Sequence, residues 1–177
     1  PPVIYRPQDI PTDLARGKLS IGVAGKDLVI NQLDLPHTCF YDRRELIRAL
    51  EKHNLVYQLD LKYRPTIIVA ATQNGEKSVE DWVKPVKPGS DDLEILTELV
   101  FVTKNFVTHL AEKGGYSVDI TLNVPPLTQH VKVGEGEGRK ISIHYSHGKT
   151  ERRARAMGAR LVEICETGTE LEVRGFR

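Results

Sequence analysis

The chain has 177 residues, 40% of them hydrophobic and 28% charged, with a formal net charge of +1. That balance fits one globular domain or two small lobes and excludes a disordered chain. No apolar run reaches the roughly 20 residues of a membrane-spanning helix. The opening lacks the charged-then-apolar layout of a secretory signal. Cys39 and Cys165, far apart and beside apolar neighbours, make no disulfide framework, so a soluble cytoplasmic protein is expected.

Residues 1–17 contain four prolines and read as an extended N-terminal arm, leaving 18–177 as a single domain. In "KLSIGVAGKDLVINQL", Leu19, Ile21 and Val23 alternate before Gly25 and Lys26, which predicts a β-hairpin over 18–33. A helix follows from Asp42, capped by that side chain with Glu45 three residues on, and burying Leu46, Ile47 and Leu50. "LVYQLDLKYRP" alternates cleanly and predicts a half-buried strand. "TIIVAA" is uninterrupted and predicts a central strand covered on both faces. A short helical turn is expected around "SVEDWV", and Pro85, Pro88 and Gly89 mark a lobe boundary near 85–90.

Ser90 is read as the cap of a long helix running to Lys113 and ended by Gly114-Gly115. Its two apolar stripes suit a central core helix, or one that packs a second copy. "YSVDITLNV" predicts another half-buried strand. "HVKV" and "KISIHYS", joined by "GEGEGR", predict a second hairpin. A helix over 149–165 and a strand at "ELEVRGF" complete an α+β fold with a mainly antiparallel sheet.

The charge is unevenly spread. Residues 128–160 carry 8 basic and 3 acidic side chains, whereas 65–127 carry 5 and 9. Local fields of this kind, rather than net charge, steer partners. The basic surplus centres on "SHGKTERRARAMGAR". Gly148, Lys149 and Thr150 resemble the end of a nucleotide-binding loop, but its first glycine would fall at Ile143, inside a strand, so no triphosphate cradle can form. A helix start can still hold one phosphate on its unpaired N–H groups. Ala154, Met157, Leu161 and Ile164 form the buried stripe of the expected helix, leaving Arg152, Arg153, Arg155 and Arg160 for a partner. Arginine's planar fork suits phosphates, and Arg139 and Lys140 would extend the patch.

Other residues have simpler readings. His130, His144 and His147 lack chelating spacing along a strand, so no metal site is assigned. Cys39 stands before a capped helix but has no orienting partner, and a core role is expected. No cofactor is implied. The sequence therefore points first to a non-enzymatic protein that binds RNA or single strands. Arg139, Lys140, Gly148, Lys149, Arg152, Arg153, Arg155 and Arg160 would grip phosphates with little base specificity. The alternative is a protein-interaction or self-assembling subunit docking on an acidic surface, including a second copy of itself. A third reading is an enzyme acting on a phosphorylated small molecule near His147, Gly148 and Lys149.

Overall fold

The computed structural model describes residues 6–57, 61, 67–71, 78–87, 90 and 92–165. The chain divides into two compact units, Pro1–Pro65 and Thr66–Arg177, and the boundary expected near 85–90 falls inside the second.

Helices carry the first unit: α1 (Ile10–Ala15), α2 (Lys26–Gln32), a 3-10 turn (His37–Phe40) and α3 (Arg43–Glu51). Part of the expected extended arm is thus α1. The hairpin expected over 18–33 does not form. Gly25 is the N-cap of α2, and the second run buries Asp27, Ile30 and Asn31, spacing that belongs to a helix. The alternating Ile21 and Val23 are exposed instead of buried. The helix expected from Asp42 is present, and the Asp42 carboxylate accepts from the N–H groups of Arg44 and Glu45, closing off free donors at the helix start. Most of the strand expected at 55–64 lies outside the described residues.

The second unit is built on a six-stranded sheet in the order β1-β6-β2-β5-β3-β4. Its strands are β1 (Ile67–Ala71), β2 (Leu93–Thr97), β3 (Val118–Val124), β4 (Leu127–Val133), β5 (Arg139–Tyr145) and β6 (Arg160–Cys165). The central β6, β2, β5 and β3 pair in parallel. Among the described residues only the outer β1 and β4 run antiparallel to their neighbours. The fold is mixed α/β, and the expectation of a mainly antiparallel sheet is corrected.

Four local readings explain that correction. "DDLEILTELVFVTKNFV" is β2 followed by α4 (Val100–Gly114), not one helix from Ser90. Leu93, Ile95 and Leu96 are all buried, as both faces of an interior parallel strand require. The helix expected over 149–165 is α5 (Thr150–Met157) followed by β6. Gly158 adopts φ 67° and Ala159 N–H reaches the carbonyl of Ala154 at 2.9 Å, a left-handed cap that stops the helix. The second hairpin is β3–β4 across Pro125-Pro126, not β4–β5. The glycine loop instead carries the chain over the start of β3, so that β5 pairs with β3 from the other side. There a Cβ on Gly138 would lie 2.7 Å from the backbone N of Val118, which is why glycine is needed. Finally, "TIIVAA" supplies β1, which among the described residues is the outermost strand on its side rather than a central one.

Two helices cover the sheet on opposite faces. Val100, Val107, Leu110 and Ala111 of α4 pack with Ile95, Ile120, Ile141, Ile143 and Val162. Trp82, fully buried in its 3-10 turn, joins them and meets Phe106 edge-on at 6.3 Å. Ala154 of α5 packs with Leu96, Ala159, Leu161 and Ala71. Neighbouring strand residues such as Ile95 and Leu96 point to opposite sides, so each helix has its own face. No helix among the described residues is long and apolar enough to cross a membrane.

Candidate functional site

Strand order decides where a site can form. β2 and β5 are adjacent. After β2 the chain crosses through α4 to β3, beyond β5, and after β5 it crosses through α5 to β6, beyond β2. Two neighbouring strands whose connections leave in opposite directions open a crevice at their carboxyl ends, where open α/β sheets bind ligands.

The crevice is lined by the residues that follow Thr97 and Tyr145. Thr97 and Ser146 are fully buried, and the Ser146 N–H bonds to the Thr97 carbonyl at 2.9 Å, tying the two strand ends together. The Thr97 hydroxyl accepts from the Leu99 N–H at 2.8 Å, which fixes the entry to α4. On the other strand, Gly148 and Lys149 adopt φ 64° and 56°. That left-handed pair is easy for glycine and strained for lysine. The turn exposes Lys149 as the N-cap of α5. The Gly148 N–H donates to the Glu98 carboxylate at 2.7 Å, so an anion already sits against this loop. Arg153, one turn along α5, donates to the Ser146 hydroxyl at 3.2 Å. Thr150, only 1% exposed, carries a hydroxyl with no hydrogen-bond partner. His147 is exposed and stacks on Tyr145 with ring centroids 6.4 Å apart.

The eight cationic and loop residues expected to form one patch do not converge. Gly148, Lys149, Arg152 and Arg153 gather at the carboxyl end of β5 and the start of α5. Arg139 and Lys140 begin β5, about 20 Å away along the strand. Arg139 donates to the carbonyl of Asp81 and so serves the fold. Arg155 lies in the last turn of α5, and Arg160 opens β6 beside Ile95 of β2. Met157 and Ile164, expected in the buried stripe, are exposed, because α5 ends at Met157.

The remaining candidates are scattered. His130 bonds to the Thr121 hydroxyl at 3.2 Å, and His144 pairs with Glu94. Among the described residues no group of three or more His, Cys, Asp or Glu is placed to hold a metal ion. Cys39 is fully buried in its 3-10 turn. Burial, then the Glu45 carboxylate, pushes its thiol above the ordinary 9.0, the wrong direction for a nucleophile. Glu98 and Ser146 were not singled out from sequence. The signal was the strand-then-turn rhythm shared by "LEILTE" and "ISIHYSHG", which becomes visible only once β2 is read as a strand.

A family model described as "HisG: ATP phosphoribosyltransferase" matches residues 6–177. No curated protein matches the sequence. Among solved structures, a chain of the "ATP phosphoribosyl transferase (HisG:HisZ) complex from Thermotoga maritima" is similar, with a TM-score of 0.52 and 19% identity. The match covers 98% of this chain and 59% of that one, so this chain spans little more than half of its structural relative, and at that identity the likeness concerns the fold. These findings overturn the expectation of a non-enzymatic RNA- or single-strand-binding protein. The geometry gives the physical reason, because a backbone-tracking groove needs a continuous basic stripe and the cations here occupy opposite ends of the sheet.

Proposed function

The chain belongs to the HisG family of ATP phosphoribosyltransferases, and on that premise we propose that it takes part in transferring a phosphoribosyl group from an activated donor to ATP. The phosphorylated end of a substrate would sit in the crevice between β2 and β5. The observation that carries this reading is the reversal of crossover direction at those two strands, which brings Glu98, Lys149, Arg153 and the α5 start together.

Each of these residues then has a task. Lys149 supplies a mobile positive charge, and Arg153 a planar fork held in place through Ser146. The first turn of α5 supplies backbone N–H groups and the positive end of the helix dipole. The Thr150 hydroxyl gains an acceptor when an anionic oxygen reaches the helix start. Glu98 must yield the Gly148 N–H to such a ligand, which sets a threshold against weak anions. Phosphoribosyl transfer breaks the anomeric bond to the donor's leaving group and forms one to ATP. Positioning and charge neutralisation of this kind are what the chain contributes to such a step.

The wild-type protein should consume ATP only when an activated phosphoribosyl donor is present. Arg153→Ala and Lys149→Ala should each lower kcat/KM by about 10- to 100-fold, the range for losing a charged hydrogen bond. Lys140→Ala, at the far end of β5, should stay within about twofold. Equal losses in all three would refute the placement of the site. We also propose a multi-subunit assembly in the cytoplasm, which the composition of the Thermotoga maritima complex supports; the assay is therefore run with and without added partner subunits.

A further inference from the structure

We propose that the polar face of β3, β4 and β5 holds a second small-molecule site, built for a hydroxylated compound with a phosphate at each end, of the sugar-bisphosphate class. One side of these strands belongs to the core, where Val118, Ile120, Leu122, Ile141 and Ile143 pack with α4. Alternate residues point the other way, to the side on which α5 lies over Leu96 and Leu161 of β2 and β6. Beside α5, the strands enclose a depression of about 420 Å³, within the size range of small-molecule sites.

The lining forms two rows across the strands. Asp119 of β3 stands opposite both Lys132 of β4 and Lys140 of β5. Two residues along, Thr121 stands opposite both His130 and Ser142. All six line the depression, with Asp92 at its β2 margin. Lys132, Lys140 and His130 are exposed, whereas Asp119, Thr121 and Ser142 are partly buried. The Thr121 hydroxyl and His130 Nδ1 lie 3.2 Å apart, which engages one ring nitrogen and orients the ring.

These rows set the chemistry of the occupant. Lys132 and His130, two residues apart on β4, make one donor corner. Lys140 and Ser142 make the other on β5, roughly 10 Å away across β3. Lysine is a compact charge on a flexible stem and suits a phosphate, so the two phosphates of one molecule can each take a corner. Between the corners Asp119 only accepts hydrogen bonds. It repels a bare anion and welcomes hydroxyl protons, so the middle of the ligand must donate. A polyol between two phosphates meets all three demands. A nucleotide would bring a base, and among the described residues no Phe, Tyr or Trp lines the depression to stack on it. The site stands apart from the crevice, since Lys140 lies at the start of β5 and Lys149 follows its other end.

Isothermal titration calorimetry on the full chain, with fructose 1,6-bisphosphate and inorganic phosphate as probes, tests the assignment. The wild type should bind the bisphosphate at least about tenfold more tightly than phosphate, the least that a second charged contact adds. Lys132→Gln and Lys140→Gln should each weaken the bisphosphate by about 10- to 100-fold. Lys149→Ala, in the crevice, should leave it within about twofold. Asp119→Asn should give opposite signs for the two probes. The bisphosphate loses its strong hydroxyl acceptor and weakens, while phosphate escapes the repulsion and tightens, a gain that a misfolded chain cannot show. Bisphosphate binding that is undetectable, or no tighter than that of phosphate, would mean an adventitious ion only and overturn the proposal. It is equally overturned if the Lys132 and Lys140 variants bind like the wild type, or if Lys149→Ala abolishes binding and so places the ligand in the crevice.

Discussion

The two crossover helices of the sheet do the same topological job by different means. α4 has 15 residues and buries Val100, Val102, Thr103, Val107, Leu110 and Ala111. α5 has 8 residues and buries only Thr150 and Ala154. A helix as short as α5 is marginal by itself, so its position rests on two caps in left-handed conformation, Lys149 and Gly158, and on the small Ala154 lying flat against Leu96 and Leu161. The difference separates roles. α4 spends its surface on the core, and α5 leaves most of its surface, with its arginines, in solvent beside the crevice.

Core truncation should break the symmetry between the helices most visibly. Leu110→Ala removes a side chain packed with β3 and β5 and should cost about 2–4 kcal/mol by transfer and cavity terms. Met157→Ala, on a residue 53% exposed, should cost under about 0.5 kcal/mol. Chemical denaturation of both variants measures the gap. A loss of several kcal/mol at Met157 would mean that α5 is held by its side chains after all.

How much of this was legible in the sequence follows the same division. The capped α3, the Gly114-Gly115 stop of α4, the short turn at Trp82 and the alternation of β3 were readable, because each rests on a local rule about caps, glycines or period. The parallel centre was not. β2 is buried on both faces and runs almost directly into α4, so its apolar residues merge with the helical stripe and no period marks the join. Gly158 falls inside the helix expected over 149–165, and only its φ of 67° reveals a terminator. Once β2 and β6 are lost as strands, the crossover reversal disappears, and the crevice with it. The basic residues are close in sequence, but the seven-residue β5 has Arg139 at its start and the turn to Lys149 and α5 beyond its other end. The start of α5 was legible as an anion-binding feature; its companion Glu98 was not.

Paired hydroxyls at the strand ends sharpen the comparison at intermediate scale. Thr97 and Ser146 are both fully buried, but Thr97 serves the backbone of α4 and Ser146 serves the side chain of Arg153. Thr97→Val keeps the shape and strands the Leu99 N–H, and it also removes the acceptor for the Thr103 hydroxyl. The expected cost is about 1–3 kcal/mol of stability. Ser146→Ala should cost less than about 1.5 kcal/mol, the net worth of one hydrogen bond, and should show its main effect as a rise in KM through the loosened arginine. Thermal melts and steady-state kinetics on both variants decide whether stability and activity divide in this way.

The smallest expected effect has the opposite sign. Lys149 holds φ 56°, a conformation that costs an L-residue about 1–2 kcal/mol and glycine almost nothing. Lys149→Gly should therefore stabilise the protein by up to about 1 kcal/mol, less the added freedom of glycine in the unfolded chain. The same change removes the cation at the mouth of the crevice, so kcat/KM should fall about tenfold or more. Strain kept at one position, with stability gained and activity lost when it is relieved, is the pattern of a residue retained for ligand contact. Lys149→Ala separates the two contributions, since it loses the charge while keeping the strain, and it should match Lys149→Gly in activity but not in stability. If Lys149→Gly leaves activity intact, the turn before α5 is only a connection, and α5 differs from α4 in length alone.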